Sequence, residues 1–154
     1  MQSARHPPFS HRKPMKPEFT NLWSSYPDDK KPCDGPWENQ CAIRMSVALN
    51  GEGTIKINKN TYPEPRCAHG HARGAESLAN FLWKKIGKPL VFTNASDAKI
   101  KLAGKNGIIF FKDCFNRGGE SARSGDHIDV WKLGTTKTYH DPANQSAQVW
   151  FWAL

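Results

Sequence analysis

The chain has 154 residues, enough for one domain that buries a real core without metal or disulfide support, and nothing in its length asks for a second domain. Its 22 Lys and Arg against 14 Asp and Glu leave a net charge of +8, so the surface is drawn to an anionic partner. The basic residues are scattered along the chain and match no nucleic-acid-binding signature, and no apolar run approaches the length of a membrane span.

Residues 1–17 carry Arg5, His11, Arg12 and Lys13 interrupted by Pro7, Pro8 and Pro14. With no apolar run behind them, they read as a flexible basic arm and not as a secretory signal peptide, and the folded domain is expected over residues 18–154. Phe19, Leu22, Trp23 and Tyr26 recur at helical spacing, which predicts a short helix from Thr20 to Tyr26 stopped by Pro27. Asp28 to Trp37 is a polar loop containing Pro32, Gly35 and Pro36.

The stretch from Asn39 to Gly51 reads as a helix that opens on a cysteine. Asn39 is a suitable N-cap, Ala42, Met45, Ala48 and Leu49 share a face, and Gly51 is placed to end the helix in the left-handed conformation. Cys41 then lies in the first turn, where unpaired backbone N–H groups and the helix dipole favour the nucleophilic thiolate. The competing reading is a cysteine serving as a small buried apolar residue.

Beyond Gly51, the alternation in Thr54 to Asn58 predicts a short edge strand, followed by a loop holding Cys67, His69 and His71. That trio matches no standard zinc spacing and lacks an evident fourth ligand, so no metal and no cofactor is expected. Ala75 to Ile86 is a second helix, with Leu78, Ala79, Leu82 and Ile86 as its apolar stripe and Lys84 and Lys85 in its last turn. Asn94 to Lys105 reads as a polar loop. Gly107 to Lys112 is a compact apolar run expected as a buried central strand, and Gly118 to Gly125 is a glycine-rich loop. His127 to Trp131 follows as a strand, with Ile128 and Val130 on one face and His127, Asp129 and Trp131 on the other. Residues 135–141 are expected to return as its hairpin partner, and Val149 to Trp152 as a last strand.

A cysteine at a helix N-terminus followed by a histidine on an antiparallel strand is what a cysteine hydrolase requires. The thiolate attacks a carbonyl carbon, the imidazole protonates the leaving amine, and a third polar group fixes the imidazole tautomer. First-turn N–H groups would bind the oxyanion. A two-residue turn at Leu133 and Gly134 puts His140 opposite His127, and a three-residue turn puts Asp141 there. Both are candidates for the third role. Asp129, on the strand of His127 itself and two residues on, is held in reserve.

The blocks Phe19 to Trp23, Asn39 to Ser46, Gly107 to Phe110 and Gly125 to Trp131 resemble, in the same order, the fourth family of type VI secretion amidase effectors. The resemblance implies an α+β, papain-like core of the NlpC superfamily, with N-terminal helices packed on an antiparallel sheet. It implies hydrolysis of the γ-D-glutamyl-meso-diaminopimelate bond of peptidoglycan stem peptides, with Cys41 as nucleophile and His127 as general base. The family's third residue is an aspartate on the strand after the histidine. An ungapped match puts Thr138 there, which cannot do the job; two extra hairpin residues bring His140, and three bring Asp141. The resemblance further implies a toxin carried by a secretion apparatus into the target cell's periplasm and restrained by a cognate immunity protein, with neither nucleic acid nor membrane as partner.

Under that reading Arg44, Arg117 and Arg123 are candidates for capturing stem-peptide carboxylates, and Trp37 for cleft wall or core. Cys67 and Cys114 are candidates for a bridge in an oxidising compartment, with Cys33 as the remaining thiol. The alternatives are a papain-like hydrolase of a protein substrate and a non-catalytic basic module bound to cell wall or nucleic acid.

Overall fold

The computed structural model describes residues 15–27, 40–115, 125–138 and 146–154. Among the described residues four helices flank a five-stranded sheet: α1 (Phe19–Ser25), α2 (Cys41–Glu52), α3 (Ala75–Lys85), β1 (Leu90–Phe92), α4 (Ala95–Lys101), β2 (Asn106–Phe115), β3 (Gly125–Lys132), β4 (Thr135–Thr136) and β5 (Gln148–Ala153). The strand order is β1-β5-β2-β3-β4, and every pairing is antiparallel.

The apolar run beginning at Gly107 becomes the central strand β2, paired with β5 on one side and β3 on the other. Both of its faces are buried, which is why the run is continuous and does not alternate. Ile108 and Phe110, with Ile128, Val130, Trp150 and Trp152, meet Leu22, Met45, Leu49, Leu78 and Leu82 from α1, α2 and α3. Ile109, Phe111, Trp131, Val149 and Phe151 face the opposite way onto Ala95, Ala98 and Leu102. Gly107 lies where a side chain has no room, since a Cβ there would sit 2.0 Å from the Trp152 carbonyl oxygen.

The helices α1 and α2 are tied at their ends. Glu18 caps α1 by accepting from the Thr20 and Asn21 amides, and its own amide donates to Glu52 at the end of α2. Gly51 stays inside α2 because the helices pass closely there, a Cβ falling 2.9 Å from Ser25 Oγ. The left-handed residue that ends α2 is Gly53 (φ 101°), two residues later than expected.

Three further expectations are corrected. Thr54 to Asn58 forms no strand; Ile55 and Ile57 are buried, and the Asn50 side chain supplies the ladder's substitute by bonding both Ile57 N–H (2.7 Å) and C=O (3.1 Å). The supposed polar loop after Asn94 contains α4, capped by the Asn94 side chain on the Asp97 amide (2.9 Å). Of the expected hairpin partner, residues 135–141, the described part pairs with β3 at Thr135 and Thr136 and leaves the ladder at Lys137 and Thr138, while residues 139–141 lie outside the described residues. The loop Asp28 to Trp37 and most of residues 1–17 and 118–125 lie outside the described residues.

Candidate active site

The helix α2 begins on Cys41 itself. Gln40, with φ −109° and ψ 24°, is its N-cap, and the Gln40 carbonyl takes the first intrahelical bond from Arg44 N–H (2.8 Å). The amides of Cys41, Ala42 and Ile43 therefore have no acceptor within the helix and point out of its N-terminus. Buried contacts hold the helix so that Cys41 Sγ comes 3.9 Å from the Asp126 carbonyl oxygen at the start of β3. Asp126 is itself fixed by the Asp113 amide on its carboxylate (2.9 Å), where β2 breaks register between Phe111 and Phe115.

His127 is next on β3. It pairs across the sheet with Phe111, whose ring stacks on the imidazole at 6.3 Å and 17°, and its Nε2 lies 2.8 Å from Asp129 Oδ2. The imidazole is also hydrogen-bonded to the Cys41 side chain. With Nε2 engaged by Asp129, Nδ1 is the nitrogen left to serve the thiol. Burial opposes the imidazolium, but the hydrogen bonds and charge of Asp129 and Cys41 outweigh it and hold the His127 pKa up to about 9.

Asp129 is fully buried and receives five donors. Its Oδ2 takes His127, the Thr138 hydroxyl (2.6 Å) and the Thr138 amide (3.2 Å), and its Oδ1 takes the amides of Val130 (2.7 Å) and Lys137 (3.1 Å). The segment that leaves the β4 ladder thus wraps this carboxylate. It is anchored in turn on α1: Lys137 Nζ donates to the Trp23 carbonyl and lies over the Trp23 ring at 5.1 Å. The Tyr26 hydroxyl donates to the Ile128 carbonyl (3.3 Å) and neighbours the Thr138 side chain. Burial, then Asp129 and Cys41, push the Tyr26 hydroxyl well above its usual range, so it acts as a neutral donor.

A thiol, an imidazole and a carboxylate are therefore linked in one line at the N-terminus of α2. The model of the family described as Type VI secretion system (T6SS), amidase effector protein 4, or Tae4, matches residues 37–152. The chain belongs to this family. Tae4 proteins are peptidoglycan amidase effectors, and the fold here is their papain-like NlpC/P60-type fold. The Tae4 structure from Enterobacter cloacae superposes with a TM-score of 0.70 at 20% identity, covering 93% of this chain and 99% of that one. The Tae4-Tai4 effector-immunity complex from Salmonella Typhimurium gives 0.68 at 23% identity, with 90% and 99% covered. A comparison with curated proteins finds no significant match.

Within this Tae4 chain the two residues expected to do the chemistry, Cys41 and His127, are brought together. The candidates for the third role, His140 and Asp141, lie outside the described residues, as do Cys33, Trp37, Arg117 and Arg123. The carboxylate on the imidazole is Asp129, and Thr138 supports it. Alternation had already put Asp129 on the face of His127; what it does not encode is a side-chain bond along a strand. Tyr26 reads in the sequence as aromatic packing and carries a polar contact as well. Arg44 is half-buried beside the site. Cys67 pairs with His71 (Sγ to Nδ1 3.7 Å), and among the described residues no three ligand-type side chains gather as a metal site. Cys67 and Cys114 are both free thiols.

Proposed function

We propose that Cys41, His127 and Asp129 hydrolyse the γ-D-glutamyl-meso-diaminopimelate amide of peptidoglycan stem peptides. The Cys41 thiolate adds to the glutamyl carbonyl carbon, and the resulting oxyanion is held by the amides at the α2 N-terminus. The His127 imidazolium gives its proton to the departing diaminopimelate nitrogen as the C–N bond breaks, leaving a thioester on Cys41. Water then adds to the thioester carbonyl, losing a proton to His127, and the intermediate collapses to a D-glutamate carboxyl and the free cysteine. Asp129 keeps Nε2 protonated and the ring in place throughout, so Nδ1 does the proton transfers. It fills the role for which His140 and Asp141 were the sequence candidates.

The observation that carries this reading is the continuous contact Cys41 to His127 to Asp129 in a fold whose family acts on peptidoglycan. The setting follows from the family: delivery by a type VI apparatus into a target periplasm, and a cognate immunity protein that restrains the enzyme. The test is digestion of diaminopimelate-type peptidoglycan with mass spectrometry of the fragments. Stem fragments ending in D-glutamate are expected with the wild-type protein and absent with Cys41→Ala. Asp129→Asn is expected to lower turnover by about 10⁴-fold, as loss of the tautomer-fixing carboxylate does in related triads, while His140→Ala and Asp141→Ala retain it. No release by folded wild-type protein defeats the reading, and collapse in Asp141→Ala with an active Asp129→Asn reassigns the third role.

A further inference from the structure

Asp129 must do something unusual for a strand residue. Its carboxylate has to turn along β3 to reach a side chain two residues away, a Cα separation of about 6.6 Å, instead of pointing straight off the sheet. A carboxylate in that posture needs an external hold. The shortest of its five hydrogen bonds, 2.6 Å, comes from the Thr138 hydroxyl and lands on Oδ2, the oxygen that takes His127. The Thr138 amide lands on the same atom.

Thr138 is in turn set by a different part of the chain. The β3-β4 ladder stops at Thr136, and Lys137 is drawn to the Trp23 carbonyl and ring, which turns residue 138 inward. The Thr138 side chain also neighbours the Tyr26 hydroxyl at the end of α1, whose own proton goes to the Ile128 carbonyl.

We infer that Thr138 is a positioning residue of the hydrolase, its hydroxyl locking the Asp129 carboxylate onto His127. The inference rests on the reading of Cys41, His127 and Asp129 given above. Thr138 acts through Asp129 on the direction of the imidazole. Thr138→Val keeps the shape and β-branching and deletes the hydroxyl, while Thr138→Ser keeps the hydroxyl and deletes a methyl.

The test measures kcat and KM separately on a diaminopimelate-containing stem peptide, with the thermal midpoint recorded for each variant. Thr138→Val is expected to lower kcat by roughly 10- to 100-fold, the size of effect a misdirected catalytic group produces, with KM unchanged. Thr138→Ser is expected to restore kcat to within about threefold of wild type, because the hydroxyl carries the effect. Equal kcat in Thr138→Val and wild type overturns the inference and leaves the catalytic reading standing. Equal loss in Thr138→Ser and Thr138→Val also overturns it, assigning the effect to packing of the methyl. An inactive wild type in which iodoacetamide labels Cys41 no faster than Cys67 defeats the catalytic reading and this inference together.

Discussion

His127 is pulled in opposite directions by its surroundings, and the outcome decides when it works. Burial alone would strip its proton near neutrality, whereas Asp129 and Cys41 keep the ring charged up to about 9. In the proposed reaction the leaving amine takes its proton from the imidazolium, so kcat/KM is expected to hold through neutral and mildly alkaline pH and then fall above about 9, by about tenfold per pH unit. A folded-state pKa raised above the ordinary histidine value also adds stability. That increment is fully present below about 6.5 and disappears as pH rises through the folded value. Urea titrations at pH 6 and pH 10 check it: the loss of stability over that interval should be smaller in His127→Ala than in wild type. At this scale the places of Cys41 at a helix N-terminus and His127 on a strand are legible in the sequence, because both are local properties. The carboxylate beside His127 is harder to read. Asp129 reaches His127 only because Lys137 and Thr138 come off the sheet and wrap it, and that departure depends on Trp23 and Tyr26 far away in the chain.

Among the elements, the strongly patterned ones read correctly and the weakly patterned ones do not. The helices α2 and α3 and the strands β2, β3 and β5 announce themselves by long apolar stripes or runs. The helix α4 does not, since its buried residues Ala95 and Ala98 are small and leave a faint stripe; its real signal is the cap, Asn94 with Asp97 three residues on. Thr54 to Asn58 misleads in the opposite sense, because alternate burial of Ile55 and Ile57 imitates a strand while a side chain from α2 satisfies the backbone. Gly107 shows what the central strand tolerates. A methyl group there meets a backbone carbonyl at 2.0 Å and the Phe151 ring at 2.8 Å, so β5 would have to move away from β2. Gly107→Ala is expected to cost about 3 kcal/mol or more in chemical denaturation, against a few tenths for Gly104→Ala, which has open space around it.

For the molecule as a whole, the net charge of +8 suits a protein whose proposed target carries carboxylates on every stem peptide. Family membership decides between the readings that charge left open, favouring the cell-wall amidase over a protein hydrolase or a basic binding module. The wrapping of Asp129 has a further consequence. Cys41 meets the start of β3 across 85 residues of chain, and the Lys137 anchor reaches Trp23 across 114. The proposed active site is therefore the knot that ties the first helix to the hairpin, and forming it requires both of these long-range contacts to close. Such a toxin is harmless until its chain is closed, and its activity becomes a gauge of its own folding. Loss of amide hydrolysis and loss of ellipticity should follow one curve in urea, and activity surviving beyond the unfolding midpoint would show that the knot is not needed.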